Sequence, residues 1–433
     1  MKHVRRMTRR DFLANSAAAV AGPLILVPVP GQAGANERIT FGLIGCGGQG
    51  RGDMGHFLGR GDCQVLAVCD VDDNQAANAK KQVDGRYKND GSYKGCEVYK
   101  DFRKICERKD INAMIVGTVD NWHFLCSVEA VRSGKDVYCE KPVTHYWKEG
   151  NILVGEVAKA KRIWQTGSQQ RSEDRFRRSV EIVLNGHIGK IQHVEVGLPT
   201  GLTGHKKGAD APQEPPATLD YDMWCGPSKK LPYSKDRLHW NWRWNLNYGG
   251  GQLMDWIGHH NDIAHWGMGE DLGGPVEIEA VGFRYPEDRT VYDAPSHYEV
   301  KCKYASGTTS SISNKHPMGA KWIGDKGWVH VDRGKLNASD PGWIKPEFDR
   351  GPIKAYQSPG HHANFVDGIK TRKPCICPVE VSHHSITPGH LGYLSDQLKR
   401  VIKWDPKKEK VIGDAEADRI LNNPPYRPPW KLA

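Results

Sequence analysis

Ile39-Thr40-Phe41-Gly42-Leu43-Ile44 runs straight into Gly45-Cys46-Gly47-Gly48-Gln49-Gly50, and this join decides the fold. A short apolar run bounded by glycines reads as a buried strand, and GxGxxG directly after it reads as the turn that opens a helix. Glycines let the backbone reverse tightly and approach a pyrophosphate, whose charge the following helix N-terminus receives through its free N–H groups. Glycine-rich loops are common, so the motif alone is weak; its context strengthens it. A second apolar run, 64–69, ends at Asp70, 20 residues after Gly50. A carboxylate at that distance accepts from the adenosine ribose hydroxyls and repels a 2′-phosphate, so the expected cofactor is NAD, with NADP disfavoured.

Outward from this unit, helices are predicted over 74–83, 101–107 and 124–133, alternating with strands Ala113–Val116 and Asp136–Cys139. Strands alternating with helices mean a parallel, doubly wound sheet that binds ligands at the carboxyl ends of its strands. Two segments lie there: Gly117-Thr118-Val119-Asp120-Asn121-Trp122-His123 and Cys139-Glu140-Lys141-Pro142. Thr118, His123, Glu140 and Lys141 therefore join Gly45, Gly47, Gly48, Gln49, Gly50 and Asp70 as expected cofactor contacts. From its tripeptide alone, Lys141 reads better as an exposed surface lysine.

Gly249-Gly250-Gly251 should open a helix, because residues through Ile263 and Trp266 are apolar at helical spacing. On it Asp255 and His259 are i and i+4, and Asp262 is three further on, which puts all three on one face. An imidazole beside a carboxylate keeps a defined tautomer and can accept a substrate proton near neutral pH. A structural Asp-His pair and an Asp255, His259, Asp262 metal site are the competing readings; the spacing supplies no fourth ligand, and no metal is expected. His260 lies about 100° round the helix from His259. It and Arg243, within Trp240-Asn241-Trp242-Arg243-Trp244, are the expected substrate contacts, since aromatic faces and a guanidinium suit a polyhydroxylated ligand.

Together these landmarks resemble the glucose-fructose oxidoreductase, inositol dehydrogenase and rhizopine-catabolism family, abbreviated Gfo/Idh/MocA. Val119 stands where that family usually has proline. The resemblance implies an α/β chain: an N-terminal Rossmann domain, here residues 36–167, and a C-terminal α/β domain, residues 168–433, with a large, mostly antiparallel open sheet. Apolar runs at 191–196, 276–284, 298–304, 308–313 and 328–332 read as its strands, and the Gly/Pro/Lys-rich stretch 199–235 as an ordered insertion. It also implies Lys141, Asp255 and His259 as catalytic residues across the nicotinamide from one another. The expected activity is oxidation of a hydroxyl on a sugar, glycoside or sugar alcohol by hydride transfer to tightly bound NAD. An NAD-dependent glycosidase, working by transient oxidation, elimination and hydration, is the alternative; glycosidase-type relatives carry Glu-Val-Pro where this chain has Glu140-Lys141-Pro142. A nucleotide sensor would leave Lys141, Asp255 and His259 without a reason to coexist. The resemblance also allows a homo-oligomer.

Composition sets the outer limits. The 433 residues suffice for two or three domains, and 38% hydrophobic residues against 26% charged is a globular balance. The net charge of +10 falls to +6 without residues 1–35, too little to argue for nucleic acid. Eleven cysteines without CxxC or zinc spacing do not form a disulfide framework. Residues 1–35 read as an export signal: basic residues, an apolar stretch 12–29, then Ala33-Gly34-Ala35. Thr8-Arg9-Arg10-Asp11-Phe12-Leu13 resembles the twin-arginine signal that exports folded proteins, so the expected location is the periplasm. Two prolines, Gly22, Asn15 and Ser16 make the same stretch a poor membrane span.

Overall fold

The computed structural model describes residues 38–90, 93–211 and 213–432; the expected signal, 1–35, lies outside them. Six strands form the first sheet: β1 Ile39–Ile44, β2 Cys63–Cys69, β3 Glu97–Tyr99, β4 Ala113–Val116, β5 Asp136–Cys139 and β6 Trp164–Thr166. They are all parallel, in the order β3-β2-β1-β4-β5-β6. Every residue of β4 and β5 is buried, because helices cover both faces of such a sheet. The strand order reverses between β1 and β4, which opens the crevice where dinucleotides bind in this topology.

The helix predicted to start at residue 124 starts at Asp120, with the extended Val119 as its N-cap. Asp120-Asn121-Trp122-His123 is therefore a first helical turn rather than a loop. Tertiary bonds hold it: the Asn121 side chain donates to the Cys225 carbonyl at 2.9 Å and the Trp122 indole to that of Met223 at 3.1 Å.

The second sheet has nine strands: β7 Ile191–Gly197, β8 Glu277–Arg284, β9 His297–Lys303, β10 Thr309–Ser313, β11 Gly319–Gly324, β12 Trp328–Val331, β13 Leu336–Ala338, β14 Ile402–Asp405 and β15 Lys410–Val411. Their order is β13-β12-β11-β7-β10-β9-β8-β14-β15, and only the β7/β10 pair is parallel. The helices Gly251–Met268 and Val379–Leu398 pack on each other and on this sheet. Gly267 lets the first of them lie flush on β11: a Cβ there would meet the Trp322 ring at 2.6 Å, and that indole donates to the Ala264 carbonyl at 3.1 Å.

Within the insertion, Leu219, Tyr221, Trp224 and Cys225 cluster against Leu238, Trp242 and Tyr248. A late helix, His361–Thr371, sends Phe365, Val366 and Ile369 back into the core of Phe41, Phe57 and Tyr138. All eleven cysteines are buried and unpaired. Among the described residues no helix is long and apolar enough to cross a membrane.

The glycine turn is packed on one side only. A Cβ at Gly50 would stand 2.1 Å from the Gly45 carbonyl oxygen and one at Gly117 2.7 Å from the Gly50 Cα, whereas Gly47 and Gly48 face open space. Gly50→Ala should therefore destabilise the protein by about 1–3 kcal/mol or more through overpacking against backbone. Gly47→Ala should stay within about 0.5 kcal/mol of the parent. Denaturant melts of the two variants check this.

Candidate active site

The β1 turn builds a cradle. Gly45 takes φ +88°, a conformation that disfavours a side chain, and Gly50 and Gly117 allow β1, β4 and the helix Gly48–Leu58 to touch through bare backbone. No side chain caps this helix, so its first N–H groups are available to an anion, and the open side of Gly47 and Gly48 is where a pyrophosphate fits. Asp70 closes the cradle, accepting from the Cys46 amide at 2.6 Å and the Asp72 amide at 2.9 Å. Each carboxylate oxygen keeps a lone pair for a ribose hydroxyl. Burial raises this carboxyl to about 6. These residues fit NAD.

Lys141, just past the end of β5, reaches the helix Gly251–Met268: its Nζ lies 2.8 Å from Asp255 Oδ1 and 2.9 Å from the Asp255 carbonyl oxygen. A Cβ at Gly258 would stand 3.3 Å from the Lys141 Cβ, so a glycine lets the lysine stem pass close to the helix. Arg243 Nε adds a second cation 3.1 Å from the same Asp255 oxygen, and its guanidinium lies 4.2 Å and 4.4 Å from the Trp240 and Trp242 ring centres. Burial alone would raise the Asp255 carboxyl; Lys141 and Arg243 outweigh it and hold Asp255 below its ordinary range. His259 goes the other way. Burial first, then the charges of Lys141 and Arg333, push its imidazole well below its usual value, and its Nδ1 has no hydrogen-bond partner. A neutral, unpartnered imidazole can accept a proton.

Sequence reasoning missed three contributors. Asp120, in the quoted Thr118 to His123 segment, is buried beside Asp255; burial and that neighbour raise its carboxyl well above the ordinary range, and its Oδ1 has no partner. Its place in the strand-end segment was the available signal. Arg333, in the turn after β12, lies 4.7 Å from the Trp256 ring centre, and no periodicity marks it. Asp53 faces Glu140: Gln49 Nε2 lies 3.3 Å from both Asp53 oxygens and 3.4 Å from Glu140 Oε1.

Other expected contacts turn inward. Glu140 also accepts from Gln169 at 3.0 Å, and burial and Asp53 raise its carboxyl to about 8. His123 clamps two strand-end turns, with Nδ1 2.7 Å from the Pro142 carbonyl oxygen and Nε2 3.3 Å from that of Thr118; burial lowers it to about 4. Thr118 is half-buried, its hydroxyl donating to the Val119 carbonyl at 3.1 Å. His260 turns its Nδ1 to the second sheet, 2.6 Å from the Gly197 carbonyl oxygen and 3.0 Å from the Gly319 amide nitrogen. The structure does not bring that nitrogen to Lys141. Asp262 does not join Asp255 and His259 either: Arg171 holds it at 2.6 Å, because seven residues of helix rise carry it about 10 Å deeper than Asp255.

A dinucleotide cradle with Lys141 at a neighbouring strand end, reaching Asp255 on the helix that also holds His259 in a second α/β domain, defines an NAD-binding oxidoreductase class, and comparison agrees. Residues 39–168 match the oxidoreductase family NAD-binding Rossmann fold, and residues 176–432 its C-terminal alpha/beta domain. The chain belongs to the Gfo/Idh/MocA oxidoreductase family. It is similar to the myo-inositol 2-dehydrogenase of Thermotoga maritima, 24% identical over 396 residues, 87% of this chain and 100% of that protein. It is also similar to a glycosyl hydrolase family 109 protein of Stenotrophomonas maltophilia, 25% identical over 224 residues, 48% of this chain and 46% of that one. The solved structure of aldose-aldose oxidoreductase from Caulobacter crescentus, complexed with glycerol, shares the fold with a TM-score of 0.61 at 17% identity, over 85% of this chain and 100% of that chain.

The buried carboxyls carry a stability signature. Asp53, raised to about 7, and Glu140, raised to about 8, bind protons more tightly folded than unfolded. Their contribution is present at low pH and is lost as pH rises from about 4 to about 8. Glu140→Gln removes one of these groups, so its melting temperature should fall less steeply than the parent's across that window. Thermal melts at stepped pH check it.

Proposed function

We propose that the protein oxidises a CH–OH group of a sugar, glycoside or sugar alcohol, using NAD that stays bound between turnovers. NAD in the cradle supplies the acceptor for the hydride leaving the carbon. The observation that carries this reading is the 2.8 Å Lys141–Asp255 pair joining the end of β5 to the helix that holds a neutral His259. Lys141 has three N–H donors and gives two to Asp255, which leaves one for the substrate oxygen. That bond stabilises negative charge on the oxygen as its carbon is oxidised. His259 takes the hydroxyl proton, so proton and hydride leave and a carbonyl remains. Asp255 fixes Lys141 and Arg243 in place. The named activities of the myo-inositol dehydrogenase and aldose-aldose oxidoreductase relatives support a polyol or sugar substrate.

The glycosyl hydrolase relative keeps a second reading in the test, a redox-neutral glycosidase. Incubating NAD-loaded protein with a panel of glycosides separates them: a ketosugar without aglycone release is expected, and released aglycone without net NADH would mean glycosidase. His259→Ala should lose roughly 10²- to 10⁴-fold in single-turnover NAD reduction while still binding NAD, and Lys141→Ala should also lose turnover. Parent-like rates in both variants would remove the catalytic assignment.

We also propose that Asp70 selects NAD over NADP. An ionised carboxylate repels a 2′-phosphate, and this one is ionised only above about pH 6. NAD should bind more tightly than NADP at about pH 8, and the preference should narrow below pH 6 and in Asp70→Ser. Dissociation constants for both dinucleotides at the two pH values test it; equal affinities at pH 8 would defeat the proposal.

A further inference from the structure

Arginines lie over tryptophan rings at four places: Arg103 over Trp430, Arg171 over Trp266, Arg243 over Trp240 and Trp242, and Arg333 over Trp256. Three of these guanidiniums also hold a carboxylate, Arg103 that of Asp101 at 2.7 Å, Arg171 that of Asp262 at 2.6 Å and Arg243 that of Asp255 at 3.1 Å. Arg333 differs. Among the described residues its guanidinium has neither an ion pair nor a hydrogen bond. Two acids are near without pairing with it: Asp332 Oδ1 accepts from the Gly334 and Lys335 amides, each at 2.6 Å, and Glu173, whose carboxyl feels the charges of Arg175 and Arg333, lies 3.9 Å from Arg175.

This unpaired cation stands at the catalytic helix. Trp256, which it covers, has its ring centre 5.6 Å from that of His259, one helical turn on. The surroundings are cationic before Arg333 is counted, because Lys141 and Arg243 share one ionised carboxylate, Asp255. Polar atoms there also want partners: His259 Nδ1, Gln252 Oε1 and Asp120 Oδ1 are buried without a hydrogen bond. A guanidinium left open, an excess of positive charge and unmet hydrogen-bonding groups together describe a ligand with a carboxylate and several hydroxyls.

We infer that Arg333 anchors a carboxylate, so that the substrate is an acidic sugar of the uronate or aldonate class with a hydroxyl presented to Lys141 and His259. Trp256 lies under the guanidinium, its ring centre 4.7 Å away, and the planar fork suits a two-point bond to the carboxylate. The catalytic part of this assignment rests on the oxidoreductase reading above; the anchor is testable by binding alone.

The experiment uses NAD-loaded protein with galacturonate, glucuronate and gluconate against galactose, glucose and myo-inositol. Equilibrium binding is followed by tryptophan fluorescence and single-turnover NAD reduction by NADH absorbance. The acids should bind more tightly than their neutral counterparts. Arg333→Ala should raise Kd and KM for the acids by roughly tenfold to a hundredfold, as expected for a lost charge-assisted bond, and change the Kd of the neutral sugars much less. Arg333→Lys should recover part of the loss, since it keeps the charge without the planar fork. Equal binding of acids and neutral sugars, or an acid Kd that does not respond to Arg333→Ala, overturns the inference. Acids that bind through Arg333 but are never oxidised, along with neutral sugars that are not oxidised either, would uphold the anchor and sink the oxidoreductase reading instead.

Discussion

The contact between Lys141 and Asp255 is the constraint around which the rest of the structure is arranged. Both side chains are nearly buried, and two charges withdrawn from water repay that cost only when geometry and further partners are supplied. Arg243 is the further partner, fixed between two tryptophan rings. Gly258 gives the lysine stem room, and the Gly258 carbonyl accepts from Ser168 at 2.9 Å, tying the helix to the segment that leaves the first sheet. Replacing such a pair with apolar side chains would commonly cost nothing in stability, so stability alone does not account for it.

Two carboxyl pairs show how environment divides their roles. Asp255 and Asp120 are both buried and close, yet the cations of Lys141 and Arg243 make Asp255 the ionised member and leave Asp120 raised. Asp53 and Glu140 have amide donors from Gln49 and Gln169 and a more distant Lys141, so both are raised. One pair thus presents a fixed negative charge next to a neutral histidine, and the other provides a near-neutral floor of hydrogen-bonding groups. Pushing the titration of neighbouring groups apart is how a site at neutral pH holds a donor and an acceptor together.

Much of this was legible in the sequence, for definite reasons. β1, β4 and β5 are buried on both faces and so read as continuous apolar runs, and the glycine turn has chemistry that only a tight backbone approach explains. Short strands escaped. β3 and β6 have three residues each, and β11 is framed by Gly319 and Gly324, which look like turn residues but are required because the carbonyls of Val331 and Ile188 come within 2.1 Å and 2.0 Å of where a Cβ would stand. Helical spacing put Asp255, His259 and Asp262 on one face but could not say that His260 serves the sheet or that Asp262 belongs to Arg171. Those are tertiary facts: a face of a helix is periodic, but what that face meets is not. Asp120 shares the strand-end segment with Thr118 and His123, but its titration depends on Asp255, and Arg333 has no local mark because its partner Trp256 is distant in the chain.

The elements divide by how freely they can change. Lys141 stands just past a strand end and Asp255 and His259 on a helix seated by Gly267 against Trp322, so the places of these three side chains are set by backbone packing. Trp240 and Arg333 instead come from an irregular segment and a hairpin turn, and Trp240 is 67% exposed. Loops on a rigid scaffold can be altered without disturbing the core. In this architecture two cation-bearing tryptophan platforms, Arg243 with Trp240 and Arg333 with Trp256, stand on these segments near the helix that holds Asp255 and His259. The His239–Trp244 segment and the β12–β13 turn can therefore change while the cradle, Lys141 and His259 keep their places, because function is grafted onto a fold rather than dictated by it.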